Sequence, residues 1–254
     1  MTITRRILAS SLAGALALTL AACNSGEGGA DTPLSEPVAA VAPPEGQAWT
    51  DVVTVTDRGG YLQGNPDAPI KLVEYGSLTC PGCAAFSVDG SESLQSEYVA
   101  TGRVSFEFRS FIIHGPLDLA LTRLIGCGRP EAAIPLSDQI WANLQDVQNR
   151  AYADQQGLQA TLKLPEDQRF VAFGQKADLF DFFAARGLSE DQAKTCLADW
   201  PSLENLAELS RTYAQDDKVT GTPTFEINGK RLELSSTERS WPQVEAALQR
   251  AGAR

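Results

Sequence analysis

Along residues 52–111 the apolar positions fall in short runs separated by turn residues. Residues 52–55 read as a first short strand. Residues 57–68 are rich in turn formers, with Gly59-Gly60, Gly64-Asn65-Pro66 and Asp67-Ala68-Pro69. The run 70–75 is dominated by apolar residues and predicts a central strand. A helix is predicted over 80–98, with Pro81 in its first turn, where a missing N–H costs little. Alternation at Val104, Phe106 and Phe108 predicts a strand over 104–111. The pattern then changes to a helical period, with candidates at 117–126, 136–150, 165–185 and 189–199, the last capped by Ser189 with Gln192 three residues on. Strand character returns at 224–227, Asn228-Gly229 predicts a hairpin turn, and 231–234 the returning strand. Ser240 is predicted to cap a closing helix. The order predicts an α/β fold over 49–254, a mixed sheet with an inserted helical subdomain at 115–215. No internal repeat is visible.

The first 48 residues have another character. Arg5 and Arg6 precede a mostly apolar run over 7–20, too short for a membrane span. Leu20-Ala21-Ala22-Cys23 resembles a bacterial lipoprotein cleavage box. That resemblance implies a leader at 1–22, cleavage before Cys23 and lipid on Cys23; an ordinary secretory leader would leave Cys23 a spare thiol. Residues 24–48, rich in Gly, Ala, Pro, Ser and Glu, predict a flexible linker. The expected location is the cell envelope, facing the periplasm and anchored to lipid. Asn24, with no Asp retention signal beside it, favours the outer membrane.

The net charge of −11 becomes −13 once the two leader arginines are removed. No basic patch interleaved with aromatics occurs, which argues against nucleic-acid binding. The sequence contains no dinucleotide glycine loop, phosphate loop or HExxH motif, and no cofactor or metal is expected. The single histidine, His114, reads as a loop or packing residue, with a place near the active face as the alternative.

Of the five cysteines, four remain to be placed. Cys80 and Cys83 are two residues apart at a helix start, where unpaired N–H groups and the positive helix end favour a thiolate on the first. The alternatives for this pair are a structural disulfide or two metal ligands, although a zinc site needs about four. Cys127 and Cys196 are candidates for a structural disulfide within the insertion, a pairing that spacing alone leaves open.

Three segments together carry a family resemblance. Val73-Glu74-Tyr75-Gly76-Ser77-Leu78-Thr79-Cys80-Pro81-Gly82-Cys83 resembles the active-site segment of DsbA-like thioredoxin-fold proteins, Val219-Thr220-Gly221-Thr222-Pro223-Thr224-Phe225 their cis-proline segment, and Gly64-Asn65-Pro66-Asp67-Ala68-Pro69 their entry loop. The resemblance covers nearly all of 52–250 and implies a thioredoxin-like sheet. It makes Cys80 an exposed nucleophile and Cys83 the resolving thiol, with Pro81 stiffening the turn between them. It makes Pro223 a cis proline facing the sulfurs, with Thr222 aligning an extended substrate. Glu74 takes the position of a buried acid that exchanges a proton with Cys83; facing solvent it would be only a strand acid. Strongly oxidising members carry histidine at Gly82, so its absence implies a potential between roughly −120 mV and roughly −270 mV.

The function expected is an envelope thiol–disulfide oxidoreductase acting on reduced or misoxidised proteins, with dithiol oxidation favoured and an unidentified membrane redox partner. Disulfide reduction or isomerisation, maturation of cytochromes or metal centres, non-catalytic peptide binding on a tether, and metal chaperoning stay as alternatives.

Overall fold

Three strands enter the sheet in succession, β1 (Val53–Val55), β2 (Tyr61–Gly64) and β3 (Ile70–Gly76). Helix α1 (Pro81–Ser93) follows, widens into a π-helical turn at Leu94–Tyr98 and then tightens into a 3-10 turn at Val99–Thr101. Gly102, at φ 70°, then turns the chain into β4 (Val104–Ser110). The helical block comprises α2 (Pro116–Ile125), α3 (Ala133–Ala142), α4 (Leu144–Ala151), α5 (Gln155–Thr161), α6 (Glu166–Lys176), α7 (Leu179–Ala184), α8 (Glu190–Ala198) and α9 (Trp200–Gln215). β5 (Thr224–Ile227), β6 (Lys230–Arg231) and α10 (Ser240–Arg250) close the chain. This computed structural model describes Thr2 and residues 35–254; apart from Thr2, the expected leader at 1–22, the lipid site at Cys23 and the first part of the linker lie outside the described residues.

The strand order is β1-β2-β4-β3-β5-β6, and only β3 and β4 run parallel. The fold is therefore the expected α/β arrangement, a mixed thioredoxin-like sheet with an inserted helical subdomain. β3 is central, flanked by β4 and β5, with Glu74 registered between Phe108 and Phe225. One face of the sheet, carrying Leu72, Phe106, Phe108 and Phe225, packs on α1 and α10. Phe86 of α1 stacks at 4.5 Å from Phe225 and 6.0 Å from Trp241 of α10. Gly90 permits that crossing, since a Cβ there would sit 2.3 Å from the Trp241 ring. The insertion shares this core: Leu121, Ile140, Phe183 and Leu197 are continuous with the sheet residues. On the opposite face Val73 and Tyr75 pack with Phe111, Tyr213 and Val219.

Several expectations need correction. The turn-rich stretch 57–68 contains β2, paired to both β1 and β4. The predicted helix 136–150 is two helices broken at Asn143, and 165–185 is two, broken where Asp178 adopts φ 55°. The helix predicted over 80–98 keeps α-geometry only to Ser93. The return strand predicted at 231–234 is only Lys230–Arg231. Ser240 is the first residue of α10 and not its cap; Arg239 holds that position without a side-chain hydrogen bond. Ser189 does form the expected capping box with Gln192.

The linker expected through residue 48 ends earlier. The Ser35 N–H donates to the Arg250 carbonyl at 2.8 Å, Val38 to Gly252 at 2.9 Å and Val41 to Thr101 at 2.9 Å. Main-chain pairing ties this strap down while most of its side chains stay exposed, which a reading of composition does not register.

Candidate active site at the paired sulfurs

The chain leaves β3 at Gly76 and reaches α1 through residues 77–80, so Cys80 is the N-cap of α1 and Pro81 its first residue. The insertion holds this loop. Asp118, buried near the start of α2, accepts from the Ser77 hydroxyl at 2.7 Å and from the main-chain N–H groups of Leu78 at 3.0 Å and Ile113 at 3.2 Å. The Trp141 indole donates to the Ser77 carbonyl at 3.0 Å, and the Gln148 amide to the Thr79 carbonyl at 2.9 Å. His114 is an exposed loop residue, yet its Nδ1 lies 2.9 Å from the Thr79 hydroxyl. None of these four supports was singled out as a site residue from sequence. Asp118 carries the only local hint, an acid in a first helical turn.

The two thiols are reduced and lie in different surroundings. Contrary to expectation Cys80 is not exposed: 7% of its surface is accessible, because the 222–223 segment covers it. The Thr222–Pro223 bond is cis, and the Cys80 Sγ donates to the Thr222 carbonyl at 3.4 Å. The Cys80 thiol is lowered from 9.0 to about 5, first by the Cys83 thiol; burial opposes this, and Thr222 and the N–H groups of Cys83 and Gly82 add to it. Cys83 is fully buried, and burial, the largest cause, pushes its thiol well up. Gly82 fits closely: a Cβ there would lie 3.0 Å from the Pro223 Cδ and 3.6 Å from the Cys80 Sγ.

Behind the pair lies Glu74. It has no accessible surface, and neither carboxyl oxygen has a hydrogen-bond partner. Burial first, and then Asp138, raise its pKa well above the carboxylate range. The nearby Cys83 thiol pulls the other way without forming a hydrogen bond of normal geometry. The structure thus brings Glu74, Cys80, Pro81, Gly82, Cys83, Thr222 and Pro223 to one place. Cys127 and Cys196 lie elsewhere and are bonded to each other, Cα atoms 5.9 Å apart, so the four cysteines of the folded part do not form one metal site.

Such a constellation suits reversible sulfur exchange: an outer sulfur that is a thiolate at neutral pH, an inner one that holds its proton, and a carboxyl that carries a proton beside it. The family model described as thioredoxin matches residues 56–249, and disulfide bond formation protein D of Bacillus subtilis is 34% identical over 178 residues, 69% of this chain and 71% of that one. The chain belongs to the thioredoxin family of thiol–disulfide oxidoreductases. Among solved structures, the protein-disulfide isomerase of Novosphingobium aromaticivorans superposes on this family member with a TM-score of 0.66 and 26% identity, covering 74% of this chain and 96% of that one. A Rickettsia bellii protein with a provisional protein-disulfide oxidoreductase name is 25% identical over 193 residues, 76% of this chain. This thioredoxin-family chain spans about two thirds of that relative, 66% of its length.

The geometry predicts a pH signature for the reduced protein. Thiolate absorbance of Cys80 is expected to titrate near pH 5. Cys83→Ala raises that midpoint, since the Cys83 thiol is the largest lowering contact. The folded pKa lies below the unfolded one, so the stabilisation is complete above about pH 9 and is lost as pH falls through about 5. An unshifted midpoint in Cys83→Ala would contradict the assignment of this contact.

Proposed function

We propose that the chain is an envelope thiol–disulfide oxidoreductase that oxidises pairs of protein thiols through Cys80 and Cys83. The observation carrying this reading is the asymmetry between an outer sulfur lowered to about 5 and an inner sulfur raised by burial. In the oxidised protein a substrate thiolate attacks Cys80, the Cys80–Cys83 bond breaks, and Cys83 leaves and takes a proton. A second substrate thiolate then attacks the mixed disulfide. It releases Cys80 as a thiolate, leaving the protein with two electrons and the substrate with a disulfide. Glu74 supplies the proton to Cys83, and Thr222 and Pro223 present the substrate strand.

Magnitudes favour oxidation. A thiol moved from 9.0 to about 5 gains roughly 100-fold in thiolate at pH 7 but loses roughly 40–100-fold in nucleophilicity, at a Brønsted slope of about 0.4–0.5. The two nearly cancel for attack by Cys80. What remains is its quality as a leaving group, which serves release of an oxidised substrate. The name of the Bacillus relative, a disulfide bond formation protein, points the same way. A value of about 5 also falls between roughly 7 in thioredoxin and roughly 3.5 in DsbA. It supports the intermediate potential read from Gly82.

Isomerisation is the second reading, favoured by the Novosphingobium relative's name and by Thr222 before the cis proline. The working location is the periplasmic side of the envelope, with lipid on Cys23 as anchor and a membrane redox partner to restore the disulfide.

Turnover with a reduced and with a scrambled disulfide protein separates these readings, alongside a redox titration. We expect faster oxidation of the reduced substrate and a potential between roughly −120 mV and −270 mV. Faster unscrambling with no net oxidation selects the isomerase. A potential within about 20 mV of −120 mV overturns the argument from Gly82.

A further inference from the structure

Between α1, α3 and the buried side of β3 lies a small cavity lined by Glu74, Ser87, Ser91, Ser137, Asp138 and Trp141, among others. Its volume, about 10 Å³, is close to what a single water requires. Glu74 borders it from the inside with no accessible surface and two unpartnered oxygens. A buried carboxyl without partners is costly and persists where something uses it. Asp138 borders the cavity from α3 and is firmly held: the hydroxyls of Ser87 and Ser91 donate to it at 2.6 and 2.8 Å. The residue keeps partial exposure, whereas Glu74 is sealed. No lysine, arginine or histidine lines the space.

We propose that Asp138 is the outer station of a proton path to the inner sulfur, with Cys83 exchanging its proton with Glu74 and Glu74 exchanging with Asp138 through one water in this cavity. The inference rests on the thiol–disulfide reading above. When a substrate thiolate opens the Cys80–Cys83 bond, an S–S bond forms between substrate and Cys80, and the Cys83 sulfur leaves with the bonding pair. The Glu74 carboxyl gives that sulfur a proton, and the resulting carboxylate is reprotonated by way of Asp138 from bulk water. Only protons cross the cavity. Cys80, Cys83 and Asp138 are the charged or titratable groups acting on Glu74; Ser87, Ser91 and Gln95 are the donors facing Asp138. Burial leads, and Asp138 adds, in keeping the proton on Glu74. Asp138 is thus a positioning residue that acts through Glu74. It comes from the inserted helices, so the insertion contributes to the chemistry and not only to the core.

The test uses the full chain carrying Asp138→Asn. Two readouts are needed: the carboxyl 13C titration of Glu74 in the reduced protein, and the rate at which a substrate thiol opens the oxidised pair. Removing the neighbouring charge is expected to lower the Glu74 midpoint. Interrupting the path is expected to slow opening about tenfold, part of the roughly 10²–10⁴ that positioned proton transfer contributes. Asp138→Glu, which restores a carboxyl, should recover most of that rate. Should Asp138→Asn fail to fold, Ser91→Ala, which removes one donor to Asp138 and keeps its carboxyl, is read by the opening rate alone and is expected to slow it by a smaller factor. An opening rate within about twofold of the parent overturns the proposal, as does a slower rate with an unmoved Glu74 midpoint. Failure of Cys83→Ser to trap substrate would instead remove the underlying reading.

Discussion

A Cys83→Ser protein is expected to accumulate a covalent adduct with disulfide-containing substrate proteins: the Cys80 thiolate attacks the substrate disulfide, a mixed disulfide forms and a substrate thiolate leaves, visible as a mass increase that vanishes on reduction. Cys80→Ser is expected to form no adduct and to turn over at the uncatalysed background. The reason lies in burial. Cys83 has no accessible surface, so it cannot take over attack when Cys80 is lost. Cys80 keeps 7% of its surface open beside the 222–223 segment, so of the two sulfurs it is the one a substrate can reach. The Cys83→Ser protein retains the outer thiol but lacks the sulfur that resolves the adduct. Intact-mass measurement of the two variants after mixing with a disulfide-bonded substrate decides the matter. Adducts of equal yield in both would place the chemistry on another sulfur.

Removing the second disulfide should act on stability and leave the chemistry alone. Cys127 follows α2 and Cys196 sits in α8, 69 residues apart in sequence. Loop-closure entropy for that span corresponds to about 4 kcal/mol. A Cys127→Ser/Cys196→Ser protein is therefore expected to lose about that much in denaturant unfolding. Its Cys80 titration should stay near 5. A loss below about 1 kcal/mol would show that the two helices stay docked in the unfolded ensemble or that native packing alone holds them.

Much of the scaffold was legible because its signals are local. The apolar run of β3, the Ser189 capping box and the Asn228-Gly229 turn each declare themselves within a few residues; Asn228 and Gly229 adopt φ 52° and 74°. The sulfur pair and the distant Thr222–Pro223 segment were legible together because each has a fixed chemical pattern. What escaped was set by distance. β2 is four residues long among turn formers and exists because β1 and β4 pair with it on both sides. The contacts from Asp118, Trp141 and Gln148 to the loop before Cys80 cross 40, 64 and 69 residues, and nothing in their own neighbourhoods announces them. The burial of Cys80 escaped for the same reason, since its cover comes from residues 142 positions away.

The support of residues 77–80 also limits what an arriving peptide can grip. The carbonyls of Ser77 and Thr79 already accept from Trp141 and Gln148. The opposite rim is partly taken as well: the Gly221 carbonyl accepts from the Thr224 hydroxyl at 2.8 Å and the Thr222 carbonyl from the Cys80 thiol at 3.4 Å, while open space adjoins Gly221. Pairing along one short edge reads neither side-chain identity nor length. For the proposed oxidoreductase, so few free main-chain partners predict short-lived peptide complexes, which the dissociation rate of a cysteine-free peptide would check.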